Sequence, residues 1–455
     1  MCSPDTFICD DAGRLTSLAR VIGSGSRTYN LGYDNGYRRT SMQIPLANGV
    51  DSVTTIYGYD IANRLTGMLL QGASALIENL TYAYDPNGNR TNFTRSVAQT
   101  LSPAVSGTNH DAANEMLAYN GKNLTYDANG NLSTRSDVCG TTTFTWDARN
   151  RLTGISGYKP DCTALTASFG YDALNRRISK TINGTTTQFV YDRWDVIQEI
   201  KSGVKTNYVR SLYIDEPLTR VTGSTIRHYV KDALGSVMAL VDDTGATKTI
   251  YVYDAFGNVS ITGETSDNPF QYTARDNDGT GLYYYRVRYY SPEMQRFISE
   301  DPIRLMGGGI NYYSITGNNP VNWVDPFGLR PGDWWDPSGY VSLSFSSTES
   351  SGRGTVLSSG IEQPTYTLGS LGGASLDLQI GNIPKPCEKT KEIAIGPLGK
   401  YLGIGYFWSK NSNSSGIAFH FGVGFSSPVT YTTTSPTNIA LPPTFPSDLE
   451  WRQGK

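Results

Sequence analysis

Histidine is scarce in this chain: His110, His228 and His420 are the only three in 455 residues, far apart in sequence. A histidine-built metal site or a Ser-His-Asp triad is therefore poorly supplied, and neither metal nor cofactor is expected. Charge is sparse too, at 17% of residues, with a formal net charge of −3. No global basic field draws nucleic acid to the chain, so nucleic acid is not an expected partner. No run of about 18 apolar residues offers a transmembrane helix. Met1-Cys2-Ser3-Pro4 lacks the basic and apolar regions of a secretory signal. The five cysteines, Cys2, Cys9, Cys139, Cys162 and Cys387, include no C-x-x-C pair. Cys139 and Cys162 could bridge, but cysteines scattered in this way read as free or incidental thiols.

The abundant residues point elsewhere. There are 48 Gly and 30 Tyr, with many Asn, Ser and Thr. Tyrosine and threonine suit strands, and glycine, asparagine and aspartate suit turns, so the expected class is all-β. The length allows two or three domains. A repeated unit runs through the first half: an aromatic, Asp, about three residues with Gly or Asn, then Arg/Asn-Leu-Thr. Tyr59-Asp60-Ile61-Ala62-Asn63-Arg64-Leu65-Thr66 and Trp146-Asp147-Ala148-Arg149-Asn150-Arg151-Leu152-Thr153 are two instances. From Asp60 to Asp85, and from Asp127 to Asp147, Asp172 and Asp192, the spacings are 25, 20, 25 and 20 residues. A period in the low twenties signals a repeat architecture. In each unit the aromatic ends a strand and Asp opens a turn by accepting backbone N–H groups. Gly or Asn supplies positive φ, and Leu starts the return strand facing inward. The units should pair edge to edge as hairpins in one long sheet. Phe7-Ile8-Cys9-Asp10 already begins a unit, which suggests a portion of a longer protein.

These units resemble the YD repeats of RHS proteins, which share their wall architecture with the C components of insecticidal toxin complexes and with teneurins. The resemblance covers roughly residues 1–329. It implies hairpins in a long spiralling sheet, here a partial shell, followed by a small β-rich C-terminal domain. His228 reads as a wall residue. The expected division is a repeat array over 1–255, a core segment over 256–329 and a tail over 330–455.

The core segment carries the chemistry. Tyr283-Tyr284-Tyr285-Arg286-Val287-Arg288-Tyr289-Tyr290 is a strongly β-prone run ended by Ser291-Pro292. Gln295–Ser299 reads as a short strand before Glu300-Asp301-Pro302, and the segment closes on Val324-Asp325-Pro326-Phe327-Gly328-Leu329. DGTGLYYYRVRYYSP, QRFISEDPI and GNNPVNWVDPFGL closely resemble the RHS repeat-associated core domain. That resemblance implies an internal aspartic peptidase that cuts after the terminal DPFGL, here between Leu329 and Arg330. Two carboxylates sharing a proton would activate water and protonate the scissile carbonyl. The candidates are Asp301 and Asp325, with Asp278 as a third. Arg288 matches a position that orients or charge-balances the acids, a task suited to a planar guanidinium. Against this stands a plainer reading: Asp-Pro pairs open turns, and Asp325 could simply cap one. The loop through Gly307-Gly308-Gly309 is longer than the usual spacing.

The tail is Gly- and Ser-rich, with period-2 alternation clearest over Gly416–Phe425. It holds 9 Lys and Arg against 9 Asp and Glu, which argues against a phosphate-binding nuclease. His420 lies in a strand pattern, Cys387 has no nearby histidine, and Glu349 with its neighbouring Ser and Thr is too little for ADP-ribosyl transfer. A soluble β-domain is the expectation, with a membrane-active one as the alternative. Two functions compete. One is a polymorphic toxin that frees its tail by self-cleavage, secreted by a route that the sequence does not reveal, with an immunity protein and secretion components as partners. The other is a non-enzymatic cell-surface or carbohydrate-binding module in which DPFGL is a structural cap.

Overall fold

The computed structural model describes residues 6–22, 25–96, 107–307 and 309–329, together with the backbone of eight strands between Val341 and Thr434. The chain forms two compact units. One is Tyr29–Ser342 with Ile380–Ile383; the other joins Met1–Thr28, Leu343–Gln379 and Pro384–Lys455. Among the described residues the elements are strands and three short 3-10 turns.

In the larger unit the wall is a succession of antiparallel hairpins. Strands from Gly25–Tyr33 to Arg90–Arg95 form one meander, and sixteen strands from Asn109–His110 to Val259–Gly263 form another. Among the described residues these are the long antiparallel sheets expected of the repeat, and residues 97–106, between the two meanders, lie outside the described residues.

One turn shows why the repeat folds as it does. Asp147 Oδ1 accepts the N–H groups of Arg149 and Arg151 at 2.8 and 3.0 Å, and Oδ2 takes Arg151 Nε at 2.7 Å. Asn150 sits at φ 57°, the left-handed conformation asparagine tolerates, and donates its N–H to Asp147 O. Arg151 then reaches the next unit. Its NH1 donates to Asn175 Oδ1 at 3.1 Å and its guanidinium lies 4.9 Å from the Tyr171 ring centroid. Tyr171 in turn donates its hydroxyl back to Leu152 O at 2.7 Å. Arg38 makes the same link to Asn63 and Tyr59, and Arg64 reaches Asp85 O and Tyr84. The motif therefore closes its own turn and locks it to the following one. Leu15, Leu65, Leu132 and Leu152 are buried, as their place in the unit requires. His228 is buried in the wall, with Thr219 Oγ1 at 3.0 Å from Nδ1 and Asp243 Oδ1 at 3.1 Å from Nε2.

The cysteine expectation is corrected. Cys139 and Cys162 form a disulfide, with Cα atoms 5.1 Å apart. Each sits at the tip of a hairpin, and their separation of 23 positions matches one repeat, so the tips fall side by side.

The Tyr-rich run is not one strand. Tyr283–Tyr285 and Arg288–Ser291 are the two arms of a hairpin, central in a four-stranded sheet with Asp276–Asn277 and Arg296–Phe297. Tyr285 pairs with Arg288, and Arg286, at φ 61°, makes the tight turn. This small sheet is buried on both faces. Tyr284 and Tyr289 pack with Leu132, Leu152 and Phe169; Tyr283, Tyr285 and Tyr290 pack with Tyr208, Tyr229 and Tyr251. Burial on both sides explains the aromatic run without polar alternation.

In the smaller unit, Thr6–Cys9 and Leu15–Ile22 form a hairpin. The eight tail strands, from Val341–Thr348 to Val429–Thr434, close into an antiparallel barrel, consistent with the expected β-rich tail.

Candidate functional site

The hairpin turn at Arg286-Val287 sends its two arginines to different places, and both reach the DPFGL segment. Arg286 NH1 donates to Pro326 O, Val287 N to Phe327 O at 3.4 Å, and Arg288 Nε to Gly328 O. Three successive carbonyls are thus held by three successive residues. Gly328 fits because it lies at φ 70° and because a Cβ there would stand 2.5 Å from Tyr285 O. Arg286 is itself fixed by Asp215, at 2.6 Å from NH2, and by Asp195 at 3.2 Å. Arg275 also binds Asp215 and donates to Pro326 O at 3.2 Å. Phe327 packs edge-on against Trp194, with ring centroids 5.7 Å apart, and lies 5.0 Å from the Arg286 guanidinium.

Arg288 brings the two leading acids together. Its NH2 lies 3.0 Å from Asp301 Oδ2 and 3.5 Å from Asp325 Oδ2. Its NH1 donates to Tyr312 O at 2.9 Å, and its guanidinium lies 3.7 Å from the Phe297 ring centroid. The three side chains are only 2%, 7% and 1% exposed for Arg288, Asp301 and Asp325. Such a dry site strengthens each charge interaction. Asp301 also accepts the Ile303 N–H at 3.0 Å through Oδ1. Burial pushes its carboxyl above the ordinary aspartate value, against the pull of Arg288 and of that N–H. Burial likewise lowers Arg288, against both carboxylates.

Asp325 fills two roles at once. Oδ1 accepts the Leu329 N–H at 2.9 Å, the turn cap of the plainer reading, while Oδ2 faces Arg288. The Leu329 carbonyl oxygen and Asp301 both face Gly307: a Cβ placed there would lie 2.6 Å from Asp301 Oδ2 and 2.9 Å from Leu329 O. The two oxygens are therefore at most 5.5 Å apart. Arg330, the residue expected beyond the cut, lies outside the described residues, as do Glu349 and Cys387.

Asp278 belongs to a different cluster. It binds Arg177 through both oxygens and Lys180 Nζ at 3.0 Å, with its own side chain fully buried. Burial raises its carboxyl, but Arg177 and Lys180 outweigh that and hold it below the ordinary value. Arg286, Arg275 and Asp215 were missed by sequence reasoning. Arg286 carried a signal, standing two residues before Arg288 in the same motif; Asp215, in the wall far upstream, carried none.

Comparison with known proteins places the fold. The Teneurin YD-shell family model matches residues 4–321. The tRNA nuclease WapA of Bacillus subtilis (strain 168) is 34% identical over 259 residues, covering 55% of this chain and 11% of that protein. The double-stranded DNA deaminase toxin A of Burkholderia cenocepacia (strain H111) is 29% identical over 335 residues, covering 62% and 23%. Toxin protein Tse5 of Pseudomonas aeruginosa is 28% identical over 336 residues, covering 60% and 25%. The chain thus spans at most a quarter of the length of these three relatives. Among solved structures, TcdB2-TccC3 without its hypervariable C-terminal region superposes with a TM-score of 0.53 at 18% identity, over 71% of this chain and 20% of that one. That likeness concerns the fold alone. From the repeated turns, the paired wall strands and the family match over more than half of its length, the chain belongs to the Teneurin YD-shell family.

Proposed function

We propose that this is a polymorphic toxin-type protein whose core cuts its own chain between Leu329 and Arg330 and frees residues 330–455 as the effector. The observation that carries this reading is the convergence of Asp301 and Asp325 on one Arg288 nitrogen, at 3.0 and 3.5 Å, beside the Leu329 backbone. The two acids of the expected pair thus share one guanidinium nitrogen as partner. In the proposed step Asp325 takes a proton from water, whose oxygen attacks the Leu329 carbonyl carbon. Asp301, the acid whose proton burial favours, donates to the carbonyl oxygen. Collapse of the tetrahedral diol expels the Arg330 amine, which takes the proton from Asp325, while one diol hydroxyl returns its proton to Asp301. The products are a Leu329 carboxyl terminus and a free Arg330 amino terminus.

The toxin-type relatives and the disulfide support delivery outside the producing cell, since disulfides persist in oxidising compartments. A cognate immunity protein and secretion components are the partners that this reading implies. Intact mass and a denaturing gel test it. The wild-type chain should yield pieces of 329 and 126 residues, and Asp301→Asn and Asp325→Asn should stay whole. Because Asp301 must hold a proton, the wild-type rate should fall as pH rises through its raised pKa. A folded wild-type chain that remains intact sinks the proposal and leaves the segment as a structural cap.

A further inference from the structure

Gly307 ends the 3-10 turn Arg304–Gly307, in the glycine loop that follows Asp301. Its φ lies outside the left-handed region, so glycine is not required there by the backbone. What distinguishes it is its surroundings. A Cβ at this position would meet Asp301 Oδ2 at 2.6 Å, Leu329 O at 2.9 Å and Asp301 Cγ at 3.3 Å. Neither group can easily move aside. Asp301 is pinned at both carboxylate oxygens, by Arg288 and the Ile303 N–H, and its backbone N–H donates to Tyr312 O. The Leu329 segment is held through its own N–H on Asp325 and through Gly328 O on Arg288.

We propose that Gly307 is a positioning residue for the self-cleavage, its bare Cα face allowing the Asp301 carboxyl and the scissile Leu329 carbonyl to approach one another. This deepens the proposed function and rests on it. A methyl group at 307 would wedge between the proton donor and the oxygen it serves. The carboxyl could escape only by leaving Arg288. Proton transfer depends on a heavy-atom approach of about 3 Å, so a displacement of one ångström there matters more than a loss of packing.

Gly309 supplies the control. It lies two residues on, also outside the left-handed region, and nothing approaches its would-be Cβ closer than 3.9 Å. The experiment follows cleaved fraction against time after refolding, for wild type, Gly307→Ala and Gly309→Ala, across pH 4 to 8, with a melting curve for each. Gly309→Ala should cleave at the wild-type rate. Gly307→Ala should cleave at least tenfold more slowly, with its fall in rate moved to higher pH, because a carboxyl pushed off Arg288 loses the charge that lowers its pKa. Equal rates for the two variants, or a slowing uniform across pH, would overturn the inference while leaving the aspartate reading intact. A Gly307→Ala chain melting about 10 °C or more below Gly309→Ala would assign glycine a packing role instead. A wild-type chain that never cleaves overturns both.

Discussion

Replacing Arg288 by glutamine removes a buried charge from beside two carboxylates and leaves a shorter, neutral amide in its place. The effect is best measured in an Asp325→Asn chain, which should stay covalently whole. Arg288 then retains one carboxyl partner, Asp301, at 3.0 Å, with side chains 2% and 7% exposed. Breaking a buried pair by removing one partner costs about 3–5 kcal/mol, because the remaining charge stays desolvated. Arg288 also donates to Gly328 O and Tyr312 O, and each carbonyl left without a donor costs about 1–3 kcal/mol. The glutamine amide recovers part of this, and protonation of Asp301 relieves more, so the expected net loss is about 3–4 kcal/mol at pH 7. The loss should shrink toward acid pH, where Asp301 takes up its proton. Urea unfolding followed by tryptophan fluorescence reads it, in a cycle with Asp301→Asn. The double substitution should cost less than the two singles together by about 1–3 kcal/mol. A loss below about 1 kcal/mol, or additivity within about 0.5 kcal/mol, would refute the claim that Arg288 balances these acids.

Two further outcomes follow from other parts of the wall. Replacing Cys139 and Cys162 by serine opens a loop of 23 residues, worth about 3 kcal/mol in the chain-entropy treatment; hydrogen exchange over Leu132–Tyr158 should accelerate, and unchanged protection would count against a structural bridge. Glu216 is buried, which by itself raises its carboxyl, but Arg39 and Lys231 draw it down to about 2 from an ordinary value of 4.5. Its contribution is therefore fully present above pH 4.5 and lost as pH falls toward 2, about 3 kcal/mol in all. Acid titration of Glu216→Gln should lack that component, and an acid profile identical to wild type would refute it.

The repeat was legible because its interactions are local. Asp147, Asn150 and Arg151 complete a turn within five residues, so composition and spacing reveal it. The second half of the Arg151 contact set, Asn175 and Tyr171, lies one repeat away and becomes visible only when strands pair. The disulfide is the same lesson in covalent form: two cysteines one repeat apart occupy the same phase of adjacent hairpins. Their spacing carried that signal, while their apparent scatter masked it. The Tyr283–Tyr290 run misled differently. It contains neither glycine nor proline, and Arg286 occupies the turn against ordinary preference, held there by Asp215 and Pro326 O. A local conformation fixed by distant partners leaves no local mark.

That turn also explains why the candidate site was legible as residues and not as an arrangement. Arg-Val-Arg and Asp-Pro-Phe-Gly-Leu stand 40 residues apart yet bind each other in register, Arg286 to Pro326, Val287 to Phe327 and Arg288 to Gly328. A hairpin turn with positive φ aims the two arginines at alternate carbonyls of one turn capped by Asp325. Arg286 spends its remaining donors on wall carboxylates and so ties the segment to the repeats. Arg288 directs its free nitrogen to Asp301 and Asp325. The wall and the acids are thereby coupled through two residues of one turn. The acids' placement should therefore depend on the wall carboxylates Asp195 and Asp215, which hold Arg286 and not the acids themselves. A short core peptide without its repeats would carry every residue of the motif and lack the anchor that sets their geometry.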